Sequence, residues 1–203
     1  MLVREVMTAQ PVTVRTDTPV KEALALLDRH SITMMPVLSP AGMIVGVVTE
    51  ADLIRDVVKP DVRTHMIPRQ QGQPLLPPHV VVEVMNHQTV TVTSDTDLAE
   101  AANLMTGTAV KSLPVIDEHH RVVGVISRRD IVHVLARSDD LVAQEVGALF
   151  HSLGVDWLAD VHDGMVTVTG PVTEKDRSLA ETATSTVPGV VAVTIRDEQP
   201  AGG

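Results

Sequence analysis

The sequence predicts a mixed α/β (α+β) protein: two pseudo-symmetric β-α-β-β-α subdomains in tandem, followed by a small α-β-β-α-β domain. Residues 3–58 align without a gap on residues 81–136 at a constant offset of 78, with about 19 of 56 positions identical. An accidental match does not persist over that length. The period exceeds that of the common solenoid repeats, so a packed pair is expected rather than an extended array. After about residue 138 the pattern changes, and 203 residues leave room for a further small domain.

Each repeat has the same grammar. Val12-Thr13-Val14, and Val90-Thr91-Val92 in the second copy, alternate as short strands do, and Thr18-Pro19 and Thr96-Asp97 read as helix entries. Val20, Ala23, Leu24 and Leu27 then recur at helical spacing, as do Leu98, Ala101, Ala102 and Met105, so one face of each helix is expected to be buried. Met35-Pro36-Val37-Leu38 and Leu113-Pro114-Val115-Ile116 read as short buried strands. Residues 44–48 and 122–126 are continuous apolar runs, the pattern of strands covered on both faces. Thr49 and Ser127 open second helices.

The connector at 59–80 carries Pro60, Pro68, Pro74, Pro77 and Pro78 and reads as a surface strap. Beyond the second copy (81–137), the last domain is expected over 138–199, with a disordered tail at 200–203. Leu141, Val142, Val146, Leu149 and Leu153 mark an amphipathic helix, and residues 155–161 a strand. Asp163-Gly164 is a hairpin turn before residues 165–170. A helix at 173–186 and, after Pro188-Gly189, a strand at 190–195 complete it.

Composition narrows the function. Apolar residues make up 44% of the chain, yet there is one Phe, one Trp and no Tyr, so few platforms exist on which bases could stack. The net charge of -10 also argues against nucleic acid as the partner. Most of that charge lies from residue 138 onward, where three basic residues face eleven acidic ones. Without cysteine there is no disulfide, thiolate metal site or cysteine nucleophile. The first residues do not form a signal sequence, and no apolar run approaches the roughly 20 residues of a bilayer span, so a cytoplasmic protein is expected. The nine histidines show no metal-ligand spacing, and no nucleophile elbow, phosphate loop or dinucleotide fingerprint is present. Neither a metal nor an enzyme is expected.

At these residues the first 137 positions resemble a tandem pair of cystathionine-β-synthase (CBS) domains. The resemblance rests on Val-Met-Thr-x-x-Pro-Val-Thr-Val at 6–14, the Pro-Val of each central strand, Gly-Val-Val-Thr-Glu-Ala-Asp-Leu at 46–53 and Gly-Val-Ile-Ser-Arg-Arg-Asp-Ile at 124–131. Residues 139–198 resemble a BON domain through the apolar helix, the Asp163-Gly164-x-Val-x-Val-x-Gly170 hairpin and the Pro188-Gly189-Val190-Val191-x-Val193 ending.

The first resemblance implies an adenosyl ligand (AMP, ADP, ATP or S-adenosylmethionine) as a regulatory rather than catalytic cofactor. It implies that Asp52 and Asp130 hold ribose hydroxyls, with Thr49 and Ser127 near phosphate. The chemistry suits them, because a carboxylate accepts from both cis hydroxyls and a helix start offers amide donors to an anion. The same Ser/Thr-x-x-Asp spacing is also a capping box, which needs no ligand. Thr13 and Thr91 would present backbone to an adenine edge, with Ile32, Val37, Val110 and Val115 packing on the ring, although such apolar residues are also ordinary core. Lys111, Arg128 and Arg129 supply charge that copy one lacks at Thr33, Glu50 and Ala51. Two arginines at a helix start can equally be a solvated face.

A homodimer is expected from the resemblance, with residues 20–27 and 98–105 packing across a symmetric interface. The second resemblance implies attachment to a protein or membrane, and the acidic tail disfavours anionic lipid. Trp157 is expected to pack in the small domain's core rather than anchor at a membrane. The expectation is therefore a regulatory sensor that binds an adenosyl molecule and signals to, or localises with, a protein partner. The alternative is a constitutive scaffold or membrane-associated adaptor with empty clefts.

Overall fold

A computed structural model describes residues 1–55 and 77–196. The connector, apart from Pro77, Pro78, His79 and Val80, and the tail expected at 200–203 lie outside the described residues. In chain order the elements are β1 (Thr8–Ala9), β2 (Val14–Arg15), α1 (Val20–His30), β3 (Met34–Leu38), β4 (Ile44–Thr49), α2 (Glu50–Ile54), β5 (Val92–Thr93), α3 (Leu98–Gly107), β6 (Ser112–Ile116), β7 (Val122–Ser127), α4 (Arg128–Leu135), α5 (Asp139–Leu153), β8 (Leu158–His162), β9 (Met165–Thr169), α6 (Glu174–Thr184) and β10 (Ala192–Arg196). Single 3-10 turns, Val3–Glu5 and Val81–Glu83, precede the two copies. The chain forms two compact units: Met1–Val6 with Asp95–Lys111 and Ser127–Gly203, and Met7–Ser94 with Ser112–Ile126. No described helix is long and apolar enough to cross a membrane.

The second of these units holds two sheets, β2-β3-β4 and β1-β7-β6-β5. The opening strands are two residues each and shifted from the expected ones: β2 pairs in parallel with β3 as Val14↔Val37, and β5 with β6 as Val92↔Val115. Val12-Thr13 and Val90-Thr91 precede the paired residues; Val14 and Val92 are buried at 4% and 5% exposure, and the half-buried Val12 packs on the same core as Val14. In β4 and β7, Gly46, Val48, Gly124 and Ile126 are buried and their neighbours half-buried. These strands are therefore covered mainly on one face, not fully on both as their apolar runs suggest.

The copies exchange their first segments. Thr8 of β1 lies antiparallel to Val125 of β7, and the equivalent residue of copy two, Asn86, bridges Val47 of β4 through Val47 N–H to Asn86 O (3.0 Å) and Asn86 N–H to Val47 O (2.8 Å). Val81 and Met85 of copy two are thereby buried with Val14, Val20, Ala23, Leu27, Met35, Val37, Val48 and Leu53 of copy one in one core. The same exchange recurs a few residues earlier: Val20 N–H donates to His79 O, and Leu98 N–H to Met1 O, both at 2.9 Å. The first amide of α1 and of α3, which has no partner within its helix, is thus met by the segment that leads into the other copy.

Helix α1 buries Val20, Ala23 and Leu27, and α3 buries Ala101 and Met105. These residues face the chain's own core, while Leu24, Leu26, Leu98, Ala102 and Leu104 on the same helices stay half-buried. Ile54, Val132 and Leu135 of the second helices are exposed instead.

In the first unit the last five elements form the expected α-β-β-α-β order, with a sheet β10-β9-β8. Strands β8 and β9 form a hairpin through Asp163 (φ 50) and Gly164 (φ 73), the left-handed pair that a two-residue turn requires. Strand β10 runs parallel to β9 from Ala192↔Met165 to Arg196↔Thr169. Helix α5, the central strand β9, helix α6 and the segment after it bury Val142, Val146, Phe150, Val166, Val168, Ala180 and Val187 together. Trp157 packs on this core, edge-to-face with Phe150 at 5.4 Å. Strand β8 starts three residues later than expected, at Leu158, and just before it Trp157 stands against Gly170, where a Cβ would lie 3.0 Å from the indole.

Candidate functional site

The chemistry concentrates where each copy's last strand, β4 or β7, hands over to its second helix. In copy one Thr49 is the N-cap of α2: Asp52 N–H donates to Thr49 Oγ1 (3.3 Å), and Asp52 Oδ2 accepts from Thr49 N–H (3.0 Å) and Oγ1–H (2.6 Å). In copy two Asp130 Oδ2 accepts from Ser127 N–H and Oγ–H, both at 2.7 Å, and Asp130 N–H donates to Ser127 Oγ (3.4 Å). Each reciprocal box satisfies two helix-start donors and places a carboxylate at the positive helix end.

Both boxes spend the same oxygen. Oδ2 carries the cap, while Oδ1 of Asp52 faces only Arg55 at 3.6 Å, and Oδ1 of Asp130 has no hydrogen-bond partner among the described residues. One acceptor per site is therefore left over, so capping and holding a hydroxyl do not compete. A third box, Thr173-Asp176 at the start of α6, has almost the same geometry, with Thr173 Oγ1–H to Asp176 Oδ2 at 2.7 Å. Box geometry alone therefore defines a cap, not a ligand site.

The other expected residues divide. Thr13, Ile32, Val37, Thr49 and Asp52 all lie in the second unit. Thr13 and Ile32 are half-buried and keep accessible surface, whereas Val37 is wholly buried in the core. In copy two, Thr91 and Val110 are half-buried and Val115 is wholly buried. Val37 and Val115 are thus core residues, as their strand position dictates. Ile32 and Val110 each follow a non-glycine residue in the left-handed region, Ser31 (φ 52) and Ala109 (φ 58). Ala109 in particular holds that conformation at a cost of roughly 1–2 kcal/mol.

Lys111 accepts Arg128 N–H on its backbone carbonyl (2.9 Å), just as Thr33 accepts Glu50 N–H (3.0 Å) in copy one. Arg128 turns its guanidinium back, Nη2 donating to the Met105 carbonyl near the end of α3 at 2.6 Å. A cation at a helix C-terminus is a favourable seat, so Arg128 already has a structural role. The side chains of Lys111 and Arg129 have no partner among the described residues. No group of three or more His, Asp or Glu is placed to hold a metal among those residues.

Two β-α-β-β-α copies with exchanged openings and one hydroxyl–carboxylate box apiece define a tandem-repeat α/β module with a candidate polar site per repeat. The chain belongs to the CBS domain family, whose model matches residues 3–59 and 81–137. It is 31% identical over 137 residues, 68% of its own length and 92% of the relative, to a CBS domain-containing protein of Dictyostelium discoideum. It is also 31% identical over 171 residues to the magnesium transporter MgtE of Thermus thermophilus, covering 82% of this chain but 32% of that one. The CBS domain pair of protein MJ0100 in complex with 5′-methylthioadenosine and S-adenosyl-L-methionine superposes with a TM-score of 0.54 at 22% identity, covering 66% of this chain and 94% of that one. CBSX2 in complex with AMP does so at 0.51 and 26%, covering 65% and 93%.

Proposed function

We propose that the chain is a non-enzymatic regulatory protein that binds an adenosyl molecule at the two CBS copies (1–58 and 81–137) and passes the bound state on through a C-terminal domain of the BON type (138–199). The observation that carries this reading is that the cap uses only Oδ2 of Asp52 and of Asp130, at matching positions of both repeats, which leaves Oδ1 outside the cap, on Asp52 beside the exposed Arg55 at 3.6 Å. Each can accept from ribose hydroxyls while Oδ2 keeps the cap. The AMP complex of a structural relative 26% identical to this chain supports the ligand class. Thr13, Ile32, Thr91 and Val110 would border the base, and Lys111 and Arg129 the phosphate. A ligand that binds one arrangement of the repeats better than another shifts the population toward it, which is the signal.

The α-β-β-α-β order, the left-handed Asp163-Gly164 turn and the acidic charge of the last domain support docking on a protein rather than on anionic lipid. A homodimer through α1 and α3 remains part of the proposal, and the exposed Ile54, Val132 and Leu135 offer a second apolar surface for it. The deciding experiment is thermal unfolding and calorimetry of the full chain with AMP, ADP, ATP and S-adenosylmethionine. A ligand-dependent rise in Tm and a measurable binding heat are expected. No response to any of the four returns the chain to the scaffold reading, in which the repeat boxes are caps like the one at Thr173-Asp176.

A further inference from the structure

Within the first unit, stretches far apart in sequence meet at the last turn of α4. Arg137 donates from Nη1 to the Pro188 carbonyl at 2.9 Å and pairs through Nη2 with Glu145 of α5. Its side chain is only 17% exposed. Gly189 (φ +96) packs so closely that a Cβ would stand 2.9 Å from Val142 Cγ2, 3.2 Å from Arg137 Cβ and 3.4 Å from the Val134 carbonyl oxygen. The Gly189 carbonyl in turn lies against Gly164 of the hairpin turn, whose amide, with that of Asp163, donates to Asp139 at 2.9 and 2.8 Å. The Asp-Gly and Pro-Gly pairs that punctuate the C-terminal domain thus converge on the helix that leads into it.

An enclosed guanidinium with a carboxylate and a carbonyl on two different elements fixes both in register. Helix α4 has eight residues, so at about 1.5 Å per residue its two ends are roughly 10 Å apart on one rigid element, and Arg137 follows two residues past its last residue, Leu135. The first turn carries the Ser127-Asp130 box.

We infer that the C-terminal domain is a positioning body for that box: by clamping the last turn of α4 through Arg137, Glu145, Pro188 and Gly189, it sets the affinity of the second copy's site. Asp52 sits on a different helix, so the first copy serves as the internal control. The ligand half of this inference rests on the adenosyl reading above; the structural half does not.

The test uses the full-length chain with two readouts. Without ligand, Arg137→Ala and the milder Glu145→Gln should raise amide exchange across residues 128–135 by roughly tenfold, with no comparable change in α1; unchanged protection overturns the clamp. With AMP, calorimetry is run in an Asp52→Ala background, which leaves the second site, and in an Asp130→Ala background, which leaves the first. Arg137→Ala should weaken AMP roughly 3- to 10-fold in the first background and not in the second, with partial recovery in Arg137→Lys. Equal weakening in both, or none in the first, overturns the inference. If AMP binds in no background, the adenosyl reading fails, and the exchange readout still decides the clamp.

Discussion

Gly46 of β4 stands against the main-chain carbonyl of Asn86, so near that a Cβ at position 46 would lie 2.6 Å from that oxygen. Its counterpart Gly124 faces Met7 and the Thr8 carbonyl in the same way, at 3.2 Å from the latter. Both glycines therefore mark where the other copy's opening segment crosses. Gly46→Ala should destabilise the chain by about 1–3 kcal/mol, as overpacking against backbone does. Gly147→Ala, in α5 with nothing within 4 Å, should stabilise it by about 1 kcal/mol. Urea midpoints of the two variants check this; equal effects would remove the crossing as the reason for Gly46.

Asp52 and Asp130 are expected to matter twice, and Asp176 once. Alanine at each of the three removes a cap and should cost about 1 kcal/mol of stability. Only Asp52→Ala and Asp130→Ala should also weaken adenosyl binding, by roughly 1.5–3 kcal/mol per site. Calorimetry beside chemical denaturation separates the two losses. If all three variants behave alike, the repeat boxes are caps and nothing more.

The second copy should prefer charged nucleotides. Lys111 and Arg129 have no hydrogen-bond partner among the described residues, whereas Arg128 is occupied by the Met105 carbonyl. ATP affinity should fall as salt rises, and Lys111→Ala should flatten that dependence. Arg128→Ala should instead cost roughly 1 kcal/mol of stability and change the salt dependence less. A steeper loss of salt sensitivity in Arg128→Ala than in Lys111→Ala would reverse the assignment.

Asp139 ties the hairpin turn to the start of α5. Its carboxyl is held below the usual value of 3.8, first by the hydrogen bond from Gly164 N–H and then by that from Asp163 N–H. A depressed folded value means that the ionised form stabilises the fold above the unfolded value, and that this contribution fades as the pH falls through the folded one. Asp139→Asn should therefore be less stable than the parent at neutral pH, with the gap closing below about pH 4. Urea midpoints measured from pH 7 down to pH 3 report it; a gap that stays constant would show that the turn does not depend on the charge.

The repeat, the helices and the caps were legible because each is written locally: Thr49, Ser127 and Thr173 announce their helices, and Asp163-Gly164 its hairpin. The register of β2 and β5 was not, since Val12 and Val14 have the same side-chain chemistry and only pairing with Val37 tells them apart. The exchange of openings was also hidden. Met7 and Met85 read as equivalent residues of separate copies, and nothing in a one-dimensional pattern says that Met85 enters the core of copy one. At the candidate site, the sequence pointed to Asp52 and Asp130 and left Val37 and Val115 open between pocket wall and ordinary core. Their strands bury them completely. Arg137 escaped notice because it falls at the junction of two patterns, where periodicity is silent.

The reciprocal crossing joins equivalent positions of the two copies but is unequal in the order of its assembly. Val47 and Asn86 lie about 39 residues apart along the chain, and Thr8 and Val125 about 117. Closing the longer loop costs about 1 kcal/mol more chain entropy by the (3/2)RT ln n rule. The opening of copy two can therefore settle against copy one before the opening of copy one finds its place on copy two. A refolding chain would pass through a state in which β1 is still free and the edge of β7 unprotected, and that edge is where association between chains would begin.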